Sequence, residues 1–231
     1  MNENQFILEC KKIDINITDQ QLMNLKKYMK LLTEWNNKFN LTAIINEKDI
    51  YLKHFYDSLC LLKYEDLNNK KVCDIGTGAG FPGMVLAIVN EESIITLIES
   101  NNKKVKFLEI VKEELNLKNV NIICSRVEDY GKKNRELYDI VTCRAVSNLR
   151  IIMELSISLL KINGLFLPMK SNVENELTES MEKCKKLGYK LLEKYDYLLP
   201  FENSRRTILK YIKIKKTDEK YPRNYNLIKN N

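Results

Sequence analysis

Apolar positions recur along this chain at two periods, and the change of period marks its plan. Up to residue 67 they return every three or four places: Leu22, Leu25, Met29 and Leu32 share one face of a segment that Thr18 and Gln21 open as a capping box. The pattern predicts helices over 4–12 and 18–39. A third, over 48–63, carries His54 and Asp57 three residues apart and so on one face, where a structural hydrogen bond between them is the expectation and a pocket wall the alternative. A capped, one-sided stripe is made to pack against a larger body, so residues 1–67 read as a helical extension of the main domain.

From Lys71 onward, short β-branched runs alternate with helical stretches. Strands are predicted at 71–75, 94–98, 120–124, 138–143 and 164–169, with helices at 82–90, 101–116, 148–161 and 172–187. Such alternation implies a parallel sheet covered by helices on both faces. The last two strands, 189–199 and 206–215, are joined by Glu202-Asn203-Ser204 and should form an antiparallel hairpin. The α/β body then spans 68–216, and residues 217–231 form a basic tail.

Composition narrows the class. A chain of 231 residues, 44% of them apolar, can build one large core. The start, Met1-Asn2-Glu3-Asn4-Gln5, is polar, and no run approaches the roughly twenty apolar residues of a membrane span, so a cytoplasmic protein is expected. Cys10, Cys60, Cys73, Cys124, Cys143 and Cys184 include no C-x-x-C pair; they read as free thiols in or near the core, with no metal expected. The net charge of +7 is concentrated: residues 204–231 hold nine Lys or Arg against Asp218 and Glu219, which accounts for all of it. Clustered positive charge favours a polyanionic partner, although such a run can also be only a solvated face.

The candidate chemistry lies between Val72 and Gly83, V-C-D-I-G-T-G-A-G-F-P-G, which reads as strand, tight turn and helix start. Glycines let backbone approach a ligand, and the N–H groups of the turn and helix start attract negative charge. Gly78 to Gly83 also spells the dinucleotide pattern G-x-G-x-x-G, so the pattern alone does not choose the cofactor. Asp74 does: it puts a carboxylate where a pyrophosphate would lie, but suits the ammonium of S-adenosylmethionine (SAM). Glu99, after the second strand, is placed to accept ribose hydroxyls, as either adenosine cofactor requires.

D-I-G-T-G-A-G-F-P-G, with Glu99-Ser100, Lys103-Lys104, Phe107-Leu108, Arg126-Val127-Glu128 and Arg144-Ala145, resembles the RsmG (GidB) family of bacterial ribosomal RNA methyltransferases. The likeness extends to Trp35-Asn36, Asn40-Leu41-Thr42, the run from His54 to Leu59, and Lys170, and covers nearly the whole chain. It implies a class I methyltransferase fold: Rossmann-like, with a mostly parallel seven-stranded sheet ending in an antiparallel hairpin. It also implies SAM-dependent methylation of guanine N7 at position 527 of 16S rRNA, in the 530 loop of the small subunit. The expected partner is 16S rRNA or a small-subunit ribonucleoprotein, with the chain acting as a monomer.

The expected cofactor contacts are Asp74, Gly76, Gly78, Gly80, Phe81, Glu99, Ser100, Val127, Glu128 and Arg144, the last also positioning the substrate. Val127 and Glu128 owe their adenine contact, and Arg144 its binding role, to the resemblance. Lys170, Arg205, Lys213, Lys215, Lys216 and Arg223 are the candidates for RNA. Thr142-Cys143-Arg144 lacks the N-P-P-Y-like run of exocyclic-amine methyltransferases, and Cys143, inside an apolar strand, reads as core rather than as a cytosine C5 nucleophile. Guanine N7 has a lone pair and no proton to lose, so positioning and electrostatics suffice. The tail keeps Tyr221-Pro222-Arg223 but then departs from the family with Asn224-Tyr225-Asn226-Leu227. A small-molecule methyltransferase of this fold and a non-catalytic SAM-binding assembly factor remain the other readings; the first would have no use for a basic hairpin.

Overall fold

In the computed structural model, which describes residues 1–230, α1 (Glu3–Lys12) and α2 (Asp19–Phe39) both open with capping boxes, at Asn2/Gln5 and Thr18/Gln21. A short α3 (Glu47–Asp49) widens into a π-helix (Ile50–Tyr56), which tightens again into α4 (Asp57–Tyr64). The sequence predicted a plain helix here. Wide π turns gather at functional sites, and this one carries Lys53 and His54 and ends at Asp57.

The body follows as β1 (Lys71–Ile75), α5 (Gly83–Val89), β2 (Ile94–Glu99), α6 (Asn102–Glu114), β3 (Val120–Cys124), α7 (Val127–Lys133) and β4 (Tyr138–Arg144). It continues with α8 (Leu149–Ile157), β5 (Leu160–Lys170), α9 (Glu174–Leu187), β6 (Tyr189–Leu198), β7 (Arg205–Lys213) and α10 (Tyr225–Lys229). The seven strands lie in the order β3-β2-β1-β4-β5-β7-β6. Strands β1 to β5 pair in parallel, and the final hairpin inserts β7 antiparallel between β5 and β6.

Helix α8 stops at Ile157, short of the predicted 161, because Leu160 already pairs with Tyr138 to begin β5. Helices α7 and α10, seven and five residues long, were not among those predicted: they are too short for a readable period.

Side chains alternate across a strand, so β1 serves two cores. Val72 faces the layer of α1, α2, α4, α5 and α6, in which Phe6, Leu25, Tyr28, Leu32 and Val85 join one cluster. Cys73 and Ile75 face the opposite layer with Leu149, Ile152 and Ile228. The N-terminal helices thus share their core with the sheet. Asp74 lies on Val72's face, toward α5. Cys10, Cys60, Cys73 and Cys143 are buried, whereas Cys124, expected inside, is exposed at the end of β3.

Candidate functional site

The residues expected around the cofactor gather at the carboxyl ends of the parallel strands, where ligands bind in open α/β sheets. Gly76 and Gly78 take positive φ of 65° and 63°. At Gly78 an added Cβ would meet only the Lys104 Nζ, at 4.0 Å, so the turn presents bare backbone to open space. Gly80 is different: an added Cβ there would meet the Tyr28 hydroxyl at 2.5 Å. Gly80 and Phe81, expected against the cofactor, pack inward instead. Phe81 is 6% exposed and stacks on Tyr28 and on His54. Tyr28, which the sequence reading did not single out, donates to the Ala79 carbonyl at 2.5 Å and is the brace that α2 sets under the loop. Its spacing from Leu25 and Leu32 was the available signal.

Asp74 is fully buried, not at the pocket mouth. Its Oδ2 accepts from the Thr77 hydroxyl at 2.6 Å and from the Gly83 N–H at 2.8 Å, which ties the two ends of the loop together. Its Oδ1 has no partner and is the one such carboxylate oxygen among the described residues. Burial pushes its pKa up to about 7. The loop's other N–H groups are largely spent internally: Gly76 and Thr77 donate to Ile98, Gly80 and Phe81 to Thr77, and Gly78 to Glu99. The expectation that they await an anion is therefore not met by this geometry.

Glu99 accepts from Gly78 N at 3.0 Å and from Asn101 N at 2.8 Å. A carboxylate offers about four acceptor positions, so capacity remains. It lines a cavity of about 230 Å³ together with Gly76, Ser100, Val127, Glu128 and Tyr225. The bare backbone at Gly78, the unpartnered Asp74 oxygen and this acid-walled cavity fit SAM. Glu99 would take the ribose and Asp74 the ammonium.

A second cavity, about 390 Å³, is lined by His54, Asp57, Arg144, Ala145, Lys170 and Arg206, among others. Ala145 lines this one and Val146 the other, so consecutive residues just past β4 border the two cavities. Arg144 belongs to the larger cavity. Its Nη1 donates to the Lys53 carbonyl at 2.7 Å and pairs with Asp57 Oδ2 at 3.0 Å, and its Nη2 reaches His54 Nδ1 at 3.1 Å. Arginine only donates, so Nδ1 accepts and the ring proton sits on Nε2, toward Thr42 Oγ1 at 3.1 Å. Burial and the Arg144 charge push the His54 pKa down to about 3, so the ring is neutral. The expected His54–Asp57 bond is absent: Asp57 is drawn to Arg144 and to the Tyr197 hydroxyl, at 2.8 Å.

The RNA candidates separate. Lys170 lines the larger cavity but donates to the Ser147 carbonyl and pairs with Glu176, both at 2.8 Å. Arg205 is exposed at the same end, with Glu174 and Asp196. Lys213 has to be corrected: its side chain is fully buried and donates to Glu136, Ile157 and Leu160. Arg223 too is structural, gripping Glu154 with Nε at 2.8 Å and Nη2 at 2.9 Å beside Lys183. Thr207 pairs with Lys170 near the site, and antiparallel β7 then carries Lys213, Lys215 and Lys216 to the opposite end of the sheet.

Strand order and site together define a class I SAM-dependent methyltransferase. Solved structures agree on the fold: a TYW2 from M. jannaschii in complex with AdoMet aligns with TM-score 0.58 at 17% identity over 74% of this chain and 80% of that one. A SAM-dependent methyltransferase from Aquifex aeolicus aligns with TM-score 0.56 at 16% identity over 73% and 94%. Residues 21–198 match the family model GidB, rRNA small subunit methyltransferase G, and the chain belongs to that family. Relatives named Ribosomal RNA small subunit methyltransferase G include one from Fusobacterium nucleatum, 47% identical over 92% of this chain and 91% of its own. Another, from Bacillus subtilis, is 40% identical over 96% and 95%.

Proposed function

We propose that this protein transfers the methyl group of SAM to N7 of the guanine at position 527 of 16S rRNA. The observation that carries the reading is the pair of cavities bordered by the consecutive residues Ala145 and Val146, one fitted to adenosine and the other lined by cations. When bound, SAM supplies an electrophilic methyl group. The chain's own residues do the rest: Glu99 orients the ribose, Asp74 holds the loop, and Arg144, fixed by Lys53, Asp57 and His54, shapes the wall against which the target base rests. Lys170, Arg205 and Arg206 face the RNA at the same mouth.

The chemistry agrees with an acceptor that loses no proton. His54 is neutral and too weakly basic to serve, and burial pushes the Cys143 thiol far up, so it offers no thiolate for C5 chemistry. Among the described residues no helix is long and apolar enough to cross a membrane; we take the site of action to be the cytoplasm and the acting unit a monomer. The test is transfer of labelled methyl from SAM to small subunits lacking the modification, with the product mapped by cleavage at N7-methylguanine. Label at that single guanine is expected. Label on another atom overturns the N7 reading, and SAM binding without transfer makes the chain an assembly factor.

A further inference from the structure

The smaller cavity has one wall that neither the glycine loop nor the strand ends provide. Tyr225 lines it, from a tail that departs in sequence from the family pattern. Its ring is only half-buried, and the Arg126 guanidinium lies over it, 5.0 Å from the centroid.

The tail that delivers this ring is firmly held. Arg135 donates to the Tyr221 carbonyl at 2.6 Å, and Arg223 forks onto Glu154, a carboxylate with no exposed surface. Lys132 donates to Asn224 Oδ1 at 2.6 Å, and Ile228 is fully buried in the core. Tyr225 sits between these last two anchors, so its ring is positioned before any ligand arrives. Arg126 fixes it further through an ion pair with Glu128, Nε to Oε1 at 3.3 Å. Glu99, Val127, Glu128 and Tyr225 line this one cavity, which places an aromatic ring in the same space as the acid suited to ribose.

We infer that the C-terminal tail completes the cofactor pocket and that Tyr225 is the aromatic wall against which the purine of SAM packs. The inference rests on the reading that the smaller cavity holds the adenosine half. Removing an aromatic partner from a stacked base costs about fivefold or more in affinity.

The experiment is calorimetric titration of the full chain with S-adenosylhomocysteine and, separately, with adenosine, for the parent, Tyr225→Ala, Tyr225→Leu, Tyr225→Phe and Glu99→Ala. Tyr225→Ala and Tyr225→Leu should weaken both ligands by the same factor, about fivefold to tenfold, because only the purine has lost a partner. Tyr225→Phe should match the parent. Leucine keeps apolar bulk against the core, so a folded variant without the ring is available should alanine loosen α10. If Glu99→Ala weakens binding while the alanine and leucine variants bind as tightly as the parent, the cavity assignment stands and Tyr225 is not its wall. If Glu99→Ala also binds unchanged, the cavity assignment itself falls. Loss of S-adenosylhomocysteine binding with adenosine unaffected would overturn the inference in another way, by moving Tyr225 to the amino-acid end.

Discussion

Two groups of cations lie at opposite ends of one sheet, and only the group scattered in sequence borders a site fitted to the reaction. At the carboxyl ends of the strands, Lys53, Arg144, Lys170 and Arg206 line one cavity although they come from the π-helix, β4, β5 and β7. At the other end, Lys186, Lys215, Lys216 and Lys220 share a concavity with Asp218 and Glu219, and Lys213 is buried. The eleven residues of β5 put roughly 30 Å between these ends. Density of charge along a chain reports how the chain is written, whereas charge around a pocket is assembled by topology.

The largest consequence should fall on Arg144. It joins β4 to the π-helix through Lys53 and His54 and to the start of α4 through Asp57, at the edge of the larger cavity, and small misplacements of a reacting group can cost on the order of 100-fold. Arg144→Ala should therefore slow single-turnover methyl transfer about 100-fold while leaving SAM affinity within about twofold. A variant that transfers at the parental rate would return Arg144 to a purely structural part.

Lys213 should behave in the opposite sense. Lys213→Met removes a donor from the carbonyls of Ile157, which keeps the Thr217 hydroxyl, and of Leu160, and frees Glu136; a lost bond to a charged group costs about 2 kcal/mol. The melting temperature should fall by roughly 4–8 °C, with methyl transfer unchanged per folded molecule. Weakened RNA binding at unchanged stability would mean that this lysine leaves its burial to meet RNA.

Beneath the glycine loop lies a buried acid whose titration can be read. Burial raises the Asp74 pKa to about 7, above the ordinary value near 3.9. In the free protein, stability is then lost as pH rises through that interval, by up to about 1.4 kcal/mol per unit. An ammonium at the unpartnered oxygen needs the ionised form, so SAM affinity should rise severalfold from pH 6 to 7.5. It should fall again once the ligand's own α-amino group, with an ordinary pKa of about 7.7–8.0, loses its proton. Asp74→Asn should flatten the rise, and calorimetry across the pH series checks it. A rise that survives in the asparagine variant would assign the titration to another group.

Much of the fold was legible because its signals are local. Val72 to Ile75, with the glycines behind it, is a strand and turn whatever surrounds it, and the hairpin follows from the short link between β6 and β7. The position of Glu99 could be read because β2 must end beside β1 for the crossover to close. Contacts between distant segments were not readable. Nothing in the spacing of His54 and Asp57 says that Arg144 will take both, and nothing near Gly80 says that Tyr28, some fifty residues earlier, will occupy the space beneath it. The tail misled for a related reason: Lys213 and Arg223 look like neighbours of Lys215 and Lys216, yet both are turned inward by single acids, Glu136 and Glu154, that lie far off in sequence.

The smallest expected change is also the one that decides between the two ends. Each phosphate contact on single-stranded RNA contributes a slope of about −0.7 in log affinity against log salt. Arg206 lines the larger cavity and Arg205 precedes it in β7; if the target base enters there, as proposed, replacing both with glutamine should flatten the slope by roughly 1.4. Replacing Lys186, Lys215, Lys216 and Lys220 with glutamine removes twice the charge from the far end and should leave the slope where it was, because a base seated beside Arg144 leaves those lysines roughly 30 Å away along β5. Filter binding of the 530-loop RNA from 50 to 300 mM salt, with parent and both variants in parallel, gives the comparison directly. A greater loss of slope from the far-end variant would mean that the RNA wraps the sheet from one end to the other, and the basic tail would regain the role its composition suggests.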